Sequence, residues 1–408
     1  MTAAVLLVAH PYRELRGPRY AEFVTLVLTT ALGMILLASA SNLIMIYLAL
    51  EMVSLPSYLL AGFLRRDRMA SEAALKYAVY GAAASGAMLY GFSFLYGMTG
   101  SIDLSVIRET LLTLELSKVH LLVPVVFVVA GFGYKIAAVP FHMWAPDVYE
   151  GSATPVTAFF SVAPKAAGLA VLIRFFQSAL SERVGSGFVS VGPMDWPFLL
   201  GILSAVTMTL GNLAAIWQDN LKRLFAYSSI AHAGYMLMGA VVMNESGNQA
   251  ILFYLAVYAI MNLGAFLVVI ALSVDGRRET FADIRGLGWK APFLGAAMVV
   301  FLLSLTGIPP TAGFVGKLYI FKAVIEKQIY WLAIVGALNS VVSLYYYARI
   351  MKTMFIDTPD ESDPRPLPNF SLLHLLIIAL LVIPTTLFGF RFGILDALTA
   401  ASRALFTG

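Results

Sequence analysis

Apolar stretches of about 20 residues, separated by short polar linkers, recur along the whole chain. They fall at 20–40, 42–64, 73–97, 119–148, 154–178, 197–217, 224–243, 249–274, 292–327, 330–354 and 371–392. A stretch of that length crosses a hydrocarbon core of about 30 Å as a helix. The linkers run to about 20 residues or fewer, so nothing between the stretches can fold as a separate soluble domain. The pattern predicts an all-α polytopic membrane protein with about eleven transmembrane helices.

Two stretches are too long and too interrupted to be straight. Residues 119–148 carry Gly131, Gly133 and Pro140 around Lys135. Residues 292–327 carry Gly307, Pro309, Pro310, Gly313 and Gly316 ahead of Lys317. A straight helix over 292–327 would reach about 54 Å. Both are therefore expected to be discontinuous, with the break near mid-membrane, where irregular backbone survives only inside protein or along a wet cavity. The breaks also give a period. Residues 20–178 form one run of five helices and 197–354 a second, each with its broken member fourth. An odd repeat length inverts the second copy, and matched breaks in inverted repeats point to a transport site near the midplane. Residues 371–392 add a final helix. Residues 1–19 form a short cytoplasmic or interfacial segment, without the basic start or cleavage site of a signal peptide.

The composition agrees: 60% hydrophobic, 12% charged. With loops numbered alternately, one side collects fifteen basic residues, among them Arg65, Arg66, Arg68, Lys222, Arg223, Arg349 and Lys352, and the other six. The positive-inside rule makes the first side cytoplasmic, with the N-terminus inside and the C-terminus outside. The net charge of +4 thus reflects topology and is no nucleic-acid signal. The chain has no cysteine, which removes disulfides and thiolate-held iron–sulfur clusters. Its five histidines show no metal-ligand spacing, and no phosphate-binding or nucleotide fingerprint occurs.

Candidate chemistry lies in charges inside the apolar stretches. A charge at bilayer depth costs roughly 2.5–3.5 kcal/mol even on lenient scales, so such residues are functional by default. Glu51 lies about 14 Å along its helix, five residues before Pro56, whose missing N–H frees the carbonyl of Met52. A carboxylate beside a free carbonyl can hold water or a cation, and a structural ion pair is the alternative. Lys165 follows Pro164 near mid-depth, beyond the reach of snorkelling. Lys135 and Lys317 flank the breaks. An amine whose charge burial opposes can release a proton as readily as hold one; the alternative is a counter-ion for carbonyls at a half-helix end. His232, with Ser228, Ser229 and Tyr235, places an imidazole and hydroxyls at helical spacing. That suits a hydrogen-bonded wire or a satisfied packing histidine equally. Asp147 and Glu150 close the first broken segment on the cytoplasmic side, where they would guide protons inward or cap the next helix, capping being the default for an Asp in a Pro/Gly-rich turn. Gly81, Ser85 and Gly86 read as close helix packing.

Several of these residues lie in motifs of a known family. The stretch Gly131-Phe132-Gly133-Tyr134-Lys135, the run from Val139-Pro140-Phe141-His142 through Asp147-Val148-Tyr149-Glu150-Gly151, and Pro164-Lys165-Ala166 resemble the N subunit of bacterial respiratory complex I. So do Leu50-Glu51-Met52-Val53-Ser54-Leu55-Pro56, Tyr227-Ser228-Ser229 through His232-Ala233-Gly234-Tyr235, and Ser304-Leu305-Thr306-Gly307-Ile308-Pro309 through Gly316-Lys317. The resemblance covers nearly the whole chain. It implies an antiporter-like, proton-translocating subunit of NADH:quinone oxidoreductase in the bacterial inner membrane. Glu51 and Lys135 would be the carboxylate–lysine pair, Lys165 the central relay lysine and Lys317 the lysine of the second broken helix. NADH, FMN, iron–sulfur clusters and quinone are expected in partner subunits and no cofactor in this chain. Its partners would be other membrane subunits, especially neighbouring antiporter-like and small ones. Bacterial members carry about three more helices ahead of 20–40, so either the start lies upstream or the chain is truncated. Two other readings stand beside this one. A free-standing or multisubunit cation/proton antiporter would exchange ions as a single chain. In a non-conducting scaffold, neutralising the buried charges would be silent.

Overall fold

The helices start where the sequence supplies acceptors for their free N–H groups. Asn42 caps one through the Met45 N–H at 2.8 Å, Asp195 another through Phe198, and Asn220 a third through Lys222 and Arg223. The computed structural model describes residues 2–9, 19–115, 117–272, 279–358 and 372–390. Several basic residues used to assign topology (Arg13, Arg16, Arg277, Arg278, Arg365, Arg391, Arg403) lie outside the described residues, as does His10.

Helix α1 (Thr2–Ala9) precedes α2 (Tyr20–Ser39), α3 (Leu43–Ala61) and the long α4 (Arg68–Thr99). A ten-residue helix, α5 (Leu104–Thr113), occupies the next linker. The first broken segment is α6 (Lys118–Ile136) and α7 (Trp144–Gly151), followed by α8 (Thr154–Ala179). An antiparallel hairpin of β1 (Ser181–Val184) and β2 (Gly187–Ser190), pairing Ser181 with Ser190, leads to α9 (Trp196–Ile216), α10 (Leu221–Val241) and α11 (Glu245–Leu272). After the one-turn α12 (Leu287–Lys290) come α13 (Pro292–Thr306) and α14 (Ala312–Glu326), the second broken segment, then α15 (Tyr330–Phe355) and α16 (Leu372–Leu387).

Among the described residues nine helices are long and apolar enough to cross a membrane. They match nine of the eleven apolar stretches. The other two are the α13–α14 pair, in which each half has 15 residues, and α16 with 16. The hairpin and α5 carry no long apolar run and were not expected; their positions in linkers explain why the spans are unaffected.

The two breaks share a backbone plan. Helix α6 ends at Ala137 in the left-handed region, with the Ala138 N–H on the Gly133 carbonyl at 2.7 Å. Helix α13 ends at left-handed Gly307, with the Ile308 N–H on the Leu303 carbonyl at 3.0 Å. Both are Schellman-type ends, and each following loop holds a cis proline bond, Val139–Pro140 or Pro309–Pro310. They differ in depth: α6 keeps 19 residues, enough to span by length, while α13 and α14 divide their segment equally.

Burial orders the bundle. Helices α8, α10 and α11 are sheathed by others, with 89, 94 and 78% of their apolar windows buried, whereas α2, α4 and α15 remain about one-third buried and face outward. Helix α9 packs along α10, and α11 against α13 and α14. Close packing at Gly81 is real, since a Cβ there would strike the Tyr58 hydroxyl; Gly86 faces open space and packs against nothing.

Candidate functional site

Glu51, Lys135, Lys165, His232 and Lys317 all lie within the bundle. The three amines belong to residues 1, 5 and 4% exposed, and His232 is 2% exposed. Among the described residues no carboxylate forms an ion pair with any of these lysines. Each reaches a serine instead. Lys135 Nζ donates to Ser54 Oγ at 3.0 Å, Lys165 to Ser229 Oγ at 2.7 Å, and Lys317 to Ser340 Oγ at 3.1 Å.

Lys135 stands in the last turn of α6, where the negative end of the helix dipole favours a cation. Its stem crosses to α8, where a Cβ on Gly168 would lie 3.1–3.2 Å from its first two carbons. Gly168 is one turn from Lys165, on the same face of α8. Lys317 belongs to α14 but reaches back to the Thr306 carbonyl, 2.8 Å away at the end of α13. Both broken-helix amines thus sit at the carbonyl end of a first half-helix. For Lys317 the counter-ion role holds alongside its link to Ser340. Glu51 is half-buried on α3 and does not pair directly with Lys135. Ser54, one turn on, takes that place, and Glu51 Oε1 is buried with no protein partner.

Helix α10 links the other groups. Ser229 bonds Lys165 and donates to the Ser161 carbonyl at 3.2 Å. Ser228 shares a 2.5 Å hydrogen bond with Tyr347 of α15. His232 Nε2 also meets the Tyr347 hydroxyl, at 3.1 Å, and Nδ1 meets Tyr254 of α11 at 2.7 Å. Tyr235 bonds Ser340 at 3.1 Å and lies under the Lys317 amine, 4.5 Å from its ring centre. Residues 228 and 229 lie four and three positions before 232, and 235 three after it, so the four fall on one broad side of the helix. That face joins the surroundings of Lys165 to those of Lys317, and His232 is satisfied on both ring nitrogens. Tyr347, Tyr254 and Ser340 lay in no motif, and Ser54 lay in the Leu50–Pro56 motif without being singled out. Their one signal was a polar group inside an apolar span.

Asp147 and Glu150 do not cap helices. Arg223 at the head of α10 donates to Asp147 at 2.5 Å and Glu150 at 2.9 Å, and Lys76 of α4 to Asp147 at 2.6 Å. Burial raises the Asp147 carboxyl, but the hydrogen bonds from Lys76 and Arg223 outweigh it and hold the group below the usual carboxylate range. This cluster ties α4, α7 and α10 together at one membrane face.

A broken-helix bundle with buried lysines around a central helix defines an antiporter-like membrane subunit. The transmembrane model of the NADH:quinone oxidoreductase/Mrp antiporter family matches residues 40–343. The chain is 51% identical over 408 residues to NADH-quinone oxidoreductase subunit N 2 of Sorangium cellulosum (strain So ce56), covering 96% of this chain and 79% of that one. It is 46% identical over 424 residues to NADH-quinone oxidoreductase subunit N of Anaeromyxobacter sp. (strain Fw109-5), covering 100% and 82%. A chain in the structure of respiratory complex I from Thermus thermophilus with bound aureothin aligns with TM-score 0.80 at 36% identity, over 98% of this chain and 84% of that one. A chain of the Mrp complex from Dietzia sp. DQ12-45-1b shares the fold, with TM-score 0.83 at 21% identity, over 99% of this chain and 82% of that one. The chain belongs to the subunit N family of NADH-quinone oxidoreductase.

Proposed function

We propose that this subunit moves protons outward across the membrane through a buried relay of Glu51, Lys135, Lys165, His232 and Lys317. Its partners would be the other membrane subunits of complex I, and redox chemistry in partner chains holding NADH, flavin, iron–sulfur clusters and quinone would drive it. The observation that carries the reading is three buried amines, each without a carboxylate at ion-pair distance among the described residues and each on a serine hydroxyl. A purely structural charge at that depth would be paired. The hydroxyl ladder of α10 supports passage between Lys165 and Lys317, with His232 at its middle. In this reading residues 20–178 and 197–354 are inverted halves, and the face bearing Lys76, Arg223 and Arg349 is cytoplasmic.

The test is Lys165→Ala and Lys317→Ala in the assembled complex. Quinone-dependent acidification of inverted membrane vesicles should fall at least tenfold while the complex still assembles. Unchanged pumping removes that residue from the path.

A further inference from the structure

A largely buried ion pair lies away from the relay. Lys222 Nζ, at the head of α10, meets Glu279 Oε1 at 2.6 Å; the two side chains are 5 and 19% exposed. The backbone clamps Glu279 in place: its carbonyl accepts from Leu221 at 2.7 Å and its N–H reaches Asp283. Burial pushes the Glu279 carboxyl above its usual range against the pull of Lys222, and nearby Glu150 adds to the rise.

Lys222 Nζ also donates to the Ser152 carbonyl at 3.0 Å, at the turn between α7 and α8. Along that turn three hydroxyls are fully or nearly fully buried without a protein hydrogen-bond partner: Ser152 Oγ, Thr154 Oγ1 and Tyr149 Oη. Buried hydroxyls are normally satisfied, often by ordered water. The Tyr149 and Tyr258 hydroxyls both lie near Ser229 without forming a well-aligned hydrogen bond to it. Ser229 holds Lys165, whose amine lies 5.6 Å from the centre of the Tyr149 ring.

We propose that the α7–α8 turn, closed at the surface by the Lys222–Glu279 pair, is the proton inlet to Lys165. A proton from cytoplasmic water neutralises the Glu279 carboxylate. It passes along water held by the Ser152, Thr154 and Tyr149 hydroxyls, each taking one proton and releasing another. Lys165 accepts it as an ammonium, and Glu279 is left ionised on Lys222. The inlet rests on the relay reading for its terminus.

The unpartnered hydroxyls make the test clean. Removing a group that bonds nothing in the fold costs little stability, so Tyr149→Phe and Thr154→Val should assemble normally. The double variant Lys222→Met with Glu279→Gln removes both charges together and avoids stranding one. Each is measured in whole complex in vesicles, beside Lys165→Ala. The inlet predicts at least a tenfold loss of proton translocation in Tyr149→Phe and in the double variant, with normal assembly. If Lys165→Ala stops pumping while Tyr149→Phe, Thr154→Val and the double variant pump like wild type, the inlet is overturned and the relay stands. If Lys165→Ala itself pumps normally, the relay reading fails and the inlet with it.

Discussion

Gly168→Ala tests the relay without touching an ionisable group. The new methyl would lie 2.9 Å from Ile136 Cγ2 and 3.1 and 3.2 Å from Lys135 Cγ and Cβ. These are stem atoms, close to the backbone, and they have little room to swing aside. Overpacking of this kind costs about 1–3 kcal/mol, and the helix gains about 1 kcal/mol on losing a glycine. The net penalty, about 0–2 kcal/mol, is too small to prevent assembly. The position of the amine is more sensitive. Its hydrogen bond to Ser54 is 3.0 Å long, so a displacement of several tenths of an ångström breaks it. A bond to a charged group is worth about 1.5–3 kcal/mol, which corresponds to a roughly 10- to 100-fold fall in translocation if the transferring state needs it. The assay is dye-monitored acidification of inverted vesicles, with assembly checked by native electrophoresis. Gly86→Ala, whose methyl would meet nothing within 4 Å, is the matched control. Wild-type pumping in Gly168→Ala, or an equal fall in Gly86→Ala, would refute the reasoning.

Tyr347→Phe removes one hydroxyl from both Ser228 and His232 but keeps the ring against Tyr346, 4.4 Å between centres; pumping should fall severalfold with assembly intact. Ser54→Ala takes away the side-chain hydroxyl on which the Lys135 amine rests. The freed amine should then pair with Glu51, slowing translocation severalfold in the same vesicle assay with assembly intact. The Asp147 cluster predicts an acid limit. Because the folded carboxyl is held below its unfolded value of about 3.9, its stabilising contribution is complete above that pH and is lost as pH falls through the folded value. Asp147→Asn should remove that acid step from thermal-stability profiles of the complex and lower the melting temperature at neutral pH.

Much of the architecture could be read from the chain because membrane helices announce themselves by length and hydropathy. The breaks could be read too, because glycine and proline cluster there, around Gly131–Pro140 and Gly307–Pro310, whereas single prolines such as Pro56 and Pro164 leave their helices continuous. The β1–β2 hairpin and α5 could not, because neither leaves an apolar run. At the site, the lysines were legible as charges in the wrong solvent. Of their partners only Ser229 was singled out. Ser54, Ser340, Tyr254 and Tyr347 are ordinary residues in a membrane helix, and only the fold aims them at an amine or an imidazole. Asp147 and Glu150 misled for the same reason: a turn suggests capping, while Arg223 and Lys76, 76 and 71 residues from Asp147, arrive only through tertiary packing.

One regularity connects the sequence to the path. Of the nine spanning helices α10 has the lowest mean hydropathy, 1.2, and the highest burial, 94%. A helix facing lipid needs apolar side chains, whereas one wrapped by other helices is relieved of that requirement but must satisfy each polar group internally. Helix α10 does so through Tyr347, Tyr254, Ser340 and Lys165, which come from α15, α11 and α8. Helix α4 is nearly as polar, at 1.3, but only 33% buried. Its charges are gathered at its surface end, where Lys76 pairs with Glu72 and Asp147. Low hydropathy alone therefore does not mark a conducting helix. Low hydropathy in a helix wrapped on all sides is different, because polar groups sealed from both lipid and water must hold one another; that places the α10 groups where the proposed relay needs them.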